Sequence, residues 1–192
     1  GAMGTDQVAA LTTDQIAASG SAGLSTAQIV TLGTAQVAAL TTGQATVMST
    51  AQLALLSTSQ VQNLSTQSLS VLSTAQVAAF STDAVAALTT GQVSRGLGAS
   101  LSGLTTAQIV ALTTNHAAVL GTSQMAYLGT AQVSALELTD LPSLSTQSVA
   151  ALGSAQISAL QTAQVAALTT AQWVSGLAKS LSALSTAQIV AM

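Results

Sequence analysis

STAQIVTL, residues 25–32, returns almost unbroken along the chain to the C-terminus. Position 1 of this octad is Ser, Thr or Gly, and position 2 is nearly always Thr. Position 4 is Gln, position 5 is Val or Ile, positions 6 and 7 are small, and position 8 is Leu. Ser25-x-x-Gln28 has the form of a capping box. The Ser25 hydroxyl can accept from the backbone N–H of Gln28, and the Gln28 side chain can reach back to the N–H of Ser25. Ala27, Gln28 and the Ala and Leu residues that follow in each octad favour helix. Ile29 and Leu32, three apart, share a helix face. Gly33 then ends one unit and opens the next box, Gly33-Thr34-Ala35-Gln36. Each octad therefore reads as one α-helix of about two turns.

A single continuous helix is excluded by the same spacing. Eight residues at roughly 100° each overshoot two turns by about 80°, so the Leu stripe would wander around the helix. The Ser-Thr doublets also offer the backbone local alternatives to helix. The rival is a β-solenoid with Thr and Val ladders and two octads per coil. The Ala-Ala pairs before Leu and the recurring Gln argue against it. Position 1 is the better cap, which leaves the steady Thr at position 2 without a role. Isolated two-turn helices are unstable in water. They must stack on neighbours, which is the logic of a solenoid.

Composition narrows the function. Of 192 residues, 49% are hydrophobic but only 2% are aromatic, so a core must be built of Leu, Val and Ala. Charged residues make up 4%, against about a quarter in ordinary proteins. The net charge is −3, with two basic residues, Arg95 and Lys179. That argues against nucleic acid, which requires a Lys/Arg footprint, and against a polybasic membrane surface. Mean hydropathy is +0.61, yet Ser, Thr or Gln interrupts every octad, and no apolar run reaches a membrane span. The absence of cysteine removes disulfides, thiolate metal sites and a Cys nucleophile.

Taken in order, Gly1-Ala2-Met3 reads as a cloning remnant (1–3). Residues 4–24 read as the end of a preceding block, shortened by three residues. Two blocks of ten octads follow, 25–104 and 105–184, 80 residues each, and 185–192 starts another. The blocks match even in their oddities: Ser65-Thr66-Gln67-Ser68 falls opposite Ser145-Thr146-Gln147-Ser148. Each block ends in a departure from the octad, TTGQVSRGLGASLSGL at 89–104 and TTAQWVSGLAKSLSAL at 169–184. Val93, Leu97, Leu101 and Leu104 in the first, and Trp173, Leu177, Leu181 and Leu184 in the second, form a helical stripe. Both are expected to be longer helices of about four turns. The whole is expected to be all-α, a solenoid or superhelix of two-turn helices with a longer helix every 80 residues. Its end coils lack polar caps, and end-to-end self-association is the corollary.

No residue is assigned a catalytic, cofactor-binding or metal-ligating role, and no cofactor is expected. His116, the only histidine, stands at the Gln position of its octad with no second ligand at metal spacing. It reads as a substitute that caps as Gln does. One His without a positioned acid makes no triad, so an enzyme is the third-ranked reading, with His116 its only foothold. Asp6, Asp14 and Asp83 occupy position 3, in the first helical turn, where the helix dipole favours negative charge. Residues 137–144, ELTDLPSL, are the most deviant octad. They hold two of the five acids and the only proline, Pro142, which forces a kink or a shifted helix start. Trp173 and Tyr127 replace apolar residues and are expected in the core or half-buried.

Leu11 and residues 12–19, TTDQIAAS, resemble the opening helix of TAL-effector repeats, which begins Leu-Thr-Pro-x-Gln-Val-Val-Ala. The second helix and base-reading loop of that family are missing, so the resemblance implies a helix start and not DNA binding. Over residues 4–192 the octads resemble the repeat tracts of very large secreted bacterial surface proteins of the adhesin or exoprotein type. That resemblance implies an extracellular or cell-surface location. It also implies a structural role, as a stalk, a spacer or a scaffold for a protein or glycan partner. The alternative is a Thr-rich face that binds an ordered surface such as ice or a polysaccharide, if Thr26, Thr34, Thr42 and their successors lie in one flat exposed row.

Overall fold

The computed structural model describes residues 3–18, 24–177 and 181–192. Every regular element among these residues is helical, and most are short α-helices repeating in tandem. The chain forms two compact units, Gly1–Gly103 and Leu104–Met192. Each unit is a helical-repeat solenoid.

One octad of the first unit shows the rule. In residues 57–64, STSQVQNL, the N-cap is Ser57 at position 1, in an extended conformation (φ −67°, ψ 161°). Its hydroxyl accepts from the backbone N–H of Gln60 at 3.2 Å. The backbone N–H of Ser57 donates to Gln60 Oε1 at 2.9 Å. The α-helix Thr58–Asn63 follows. Leu64, extended at φ −61° and ψ 132°, closes it by donating its N–H to the Val61 carbonyl at 3.1 Å. Two successive extended residues, positions 8 and 1, turn the chain into the next helix. The α-helices run from four to six residues, shorter than two full turns. The closing bond from position 8 to the carbonyl of position 5 is of the tighter i→i−3 type that helix ends commonly adopt. It completes what the spacing reads as a second turn.

Burial follows the octad. Positions 4, 5 and 8 (here Gln60, Val61 and Leu64) are 5%, 0% and 4% exposed, while Ser57, Thr58, Ser59 and Gln62 face solvent. Burying a Val or Leu fully is worth about 1.5–3 kcal/mol. With two such residues per octad, helices too short to stand alone become stable once stacked.

The stacking has a fixed period. In the first unit helix Thr34–Ala38 packs on Thr58–Asn63, Thr42–Val47 on Thr66–Ser70 and Thr50–Ala54 on Thr74–Ala78, each pair three octads apart. In the second unit Thr122–Tyr127 packs on Thr146–Ala150 and Thr130–Ser134 on Ser154–Ala159 in the same way. A coil therefore holds between three and four octads.

The ends of the ten-octad blocks depart from a longer α-helix. Gln92–Gly96 is a π-helical turn and Gly98–Gly103 a 3-10 helix. Gly98 opens the second with φ +46°, a left-handed conformation open to glycine. The stripe itself is sound: Val93, Leu97, Leu101 and Leu104 are all buried. In the second unit the π-helical turn is Gln172–Leu177, followed by the 3-10 helix Leu181–Ala183. Leu177 and Leu184 are buried and Trp173 is half-buried, but Leu181 is 44% exposed and leaves the expected stripe. Residues 178–180 of that expected helix, residues 19–23 of the expected preceding block and residues 1–2 of the expected remnant lie outside the described residues.

Glycine permits a close approach beside each π turn. A Cβ on Gly96 would sit 3.1 Å from Leu69 Cβ, and one on Gly176 would sit 3.0 Å from Val149 Cγ1. A Cβ on Gly91 meets nothing nearer than the Arg95 side chain at 3.6 Å. Gly96→Val is accordingly expected to destabilise the chain by about 1–3 kcal/mol through overpacking. Gly91→Ala should be neutral or slightly stabilising. Urea or thermal melts of the two variants compare them directly, and equal effects would contradict the packing account.

Candidate functional site

The recurrent built feature of the molecule is the side chain at position 4. Gln is an apt choice: it offers one acceptor oxygen and two N–H donors without charge, on a straight chain that suits helix. In Gln60 all three are used. Oε1 accepts from its own N-cap, as above. Nε2 donates to the carbonyls of Leu32 at 2.9 Å and Ile29 at 3.0 Å, 28 and 31 residues upstream. These are the C-terminal carbonyls, positions 8 and 5, of a helix one coil earlier. One buried side chain thus caps the start of its own helix and the end of another. Gln92 does the same to Leu64 and Val61, both at 2.8 Å. In the second unit Gln156 bonds to Leu128 and Met125, Gln164 to Leu136 and Val133, Gln172 to Leu144 and Leu141, and Gln188 to Leu160 and Ile157.

Bonds that cross residues 19–23 keep the same partners at shorter separations. Gln36 donates to Leu11 and Val8, 25 and 28 residues upstream. Gln44 donates to Ile16 at 28. The clamp adapts to the local length of the coil and keeps its chemistry.

Where Gln is replaced, the substitute shapes the coil. Ser68 and Ser148 donate through Oγ to the Leu40 and Leu120 carbonyls, each 28 residues upstream, at 2.8 and 2.5 Å. A hydroxyl is shorter than a carboxamide, and Ser68 and Ser148 adjoin the Leu69 and Val149 side chains that crowd Gly96 and Gly176. The paired Ser and Gly substitutions mark a tighter contact at the matching place in each unit. Aligning the octads finds both serines; their role needed the geometry.

His116 is buried at position 4, and its Nδ1 accepts from the Thr113 backbone N–H at 3.2 Å, the arm Gln Oε1 otherwise supplies. Asp6, Asp14 and Asp83 lie in the first turns of their helices. Pro142 shifts its helix rather than kinking it: residues 137–144 carry only the 3-10 helix Leu141–Ser143, with proline in the first turn where its missing N–H costs nothing. Tyr127 is exposed, at 49%, so the expectation of a core or half-buried place is corrected. It occupies position 7, which faces outward in its octad.

Asp140 is the residue the sequence reading passed over. It stands at position 4 of the deviant octad and is 3% exposed. Burial pushes its carboxyl above the usual aspartate range, and the negative charge of Glu137 adds to the shift. The exposed surface is supplied mainly by positions 1, 2, 3 and 6. Thr42, Thr50, Thr58, Thr74 and Thr82 each start a helix at the surface. Thr66 and Thr146, at the same position, are half-buried and lie beside Gly96 and Gly176.

Replacing the clamp with an apolar side chain is expected to cost more than any surface change. Gln60→Leu leaves the Leu32 carbonyl and the Ser57 N–H without their partner and strips the Ile29 carbonyl of one of its two bonds, a loss of about 2–4 kcal/mol. Thr58→Ala in the same octad should stay within about 0.5 kcal/mol. Chemical denaturation of both variants measures the difference, and a Gln60→Leu chain as stable as wild type would contradict the clamp.

No helix among the described residues is long and apolar enough to cross a membrane. No curated protein and no solved structure matches the chain. A family model described as the ALTTAQ repeat matches residues 22–49, 66–95 and 133–170, together half of the chain. The tandem octads, their helical form and this match agree: the chain belongs to the ALTTAQ repeat family.

Proposed function

We propose that this chain is a structural repeat region of a secreted or cell-surface bacterial protein. It serves there as a stalk or spacer, and as a scaffold for a protein or glycan partner. The clamp carries this reading. Within each unit, coils are tied to one another by uncharged hydrogen bonds from buried Gln side chains, so stability is built from nearest-neighbour contacts and accommodates any number of coils. The chain performs no catalysis in this reading. The steady Thr at position 2, solvent-facing in most octads, is a surface on which a partner's hydroxyl or amide groups can be matched. A further coil of the same type, whichever chain supplies it, would dock by donating its Gln to the carbonyls of Val165 and Leu168.

Binding of the exposed threonines to an ordered surface, such as ice or a polysaccharide, is the alternative. Ice-growth assays should show no effect of the chain; clear inhibition would restore that alternative. The location is tested by raising an antibody against the chain and applying it to intact cells of the parent bacterium. Labelling of unpermeabilised cells is expected, and labelling only after lysis would remove the surface role.

The interactions invoked are uncharged. The melting temperature should therefore change little between about 0.01 M and 1 M salt, conditions across which screening of charge pairs changes greatly. A large loss of stability at high salt would place the stabilising contacts elsewhere.

A further inference from the structure

In the unit that holds Asp140, Gln132, Gln156, Gln164, Gln172 and Gln188 at position 4 each supply a donor to the preceding coil, and so does Ser148. Those donors reach the carbonyls 28 residues upstream, and Gln reaches 31 as well. At Asp140 the corresponding carbonyls are those of Leu112 and Ile109. The Asp140 side chain is intermediate in length between Ser and Gln, and it is 3% exposed. An ionised carboxyl has no proton to give, whereas a protonated one donates a single hydrogen bond, as a Ser hydroxyl does.

We propose that Asp140 is a proton-operated clamp. Neutral, it donates to the Leu112 carbonyl and closes the coil at residues 137–144. Ionised, it sets a carboxylate against backbone carbonyls and loosens that coil.

The rest of the octad is built to hold still while this bond changes. Gln172 fixes it from the following coil by donating to the carbonyls of Leu141 and Leu144 at 2.7 and 2.8 Å. The 3-10 helix Leu141–Ser143 packs on helices Thr114–Val119 and Thr162–Ala167. The second of these carries no titratable side chain, and the first carries His116, whose Nδ1 is turned to its own cap at Thr113. On the octad itself the other charge is Glu137. Its negative charge and the burial of Asp140 both favour the neutral carboxyl. A carboxyl raised in this way contributes stability that is complete below the ordinary aspartate range. That stability is lost as pH rises through the raised value.

The test is a set of thermal melts of the whole chain from pH 7 down to about pH 4.5, comparing wild type with Asp140→Gln. At pH 7 the Gln variant should melt about 3 °C or more above wild type, and the gap should close as the pH falls. A gap that does not change with pH overturns the proposal. A titration of the Asp140 carboxyl carbon by NMR in the wild-type chain gives a second reading that does not need the variant to fold. A midpoint above about 3.9 supports the clamp, and one at or below that value overturns it. Calcium that raises the melting temperature of wild type but not of Asp140→Gln at pH 7 would also overturn it, because the carboxylate would then be a cation ligand.

Discussion

The structure depends on one hydrogen-bonding problem and its solution. A helix of four to six residues is nearly all ends: its first N–H groups and last carbonyls have no partner within it. Buried without partners, those groups would cost more than the hydrophobic contacts return. The Gln at position 4 meets this need at both ends of different helices at once. Its oxygen takes the N-cap N–H of its own helix, and its nitrogen takes the C-terminal carbonyls of a helix one coil earlier, as Gln92 does with Leu64 and Val61. A polar side chain in the core is thus a condition of having helices this short.

The clamp also sets the register between coils. A contact between Val and Leu side chains is non-directional and tolerates sliding. A carboxamide whose three hydrogen bonds are all satisfied does not. Departures from Gln are therefore local adjustments of the coil. Ser68 and Ser148 shorten the link where Gly96 and Gly176 let backbones come close. Ala84, also at position 4 and fully buried, keeps the Ser81 cap with its hydroxyl accepting at 3.1 Å and gives up the reach of the carboxamide.

Much of this was legible in the octad. Ser25-x-x-Gln28 placed the helix start, since the cap rests on chemistry within four residues, and Ile29 and Leu32 gave the buried face. The partner of the Gln nitrogen was not legible. The carbonyls it seeks are backbone atoms with no sequence signature, and in a near-identical repeat any earlier coil is an equal candidate. The residues 89–104 show another limit. The apolar stripe was right in its members, but one glycine at φ +46° divides the segment into a π turn and a 3-10 helix. At Tyr127 the substitution of an aromatic for a small residue suggested burial, while octad position 7 already faced outward there. The significance of Asp140 was hidden until position 4 was known to be a donor site.

The most direct measurement is hydrogen exchange at the side-chain amides of Gln60 and Gln92, followed by NMR. If Nε2 is held between two backbone carbonyls inside the coil, its protons should exchange on the timescale of the protected core backbone amides. Exchange as fast as that of the solvent-facing Gln62 would contradict the clamp, and with it the explanation for why helices this short can stack.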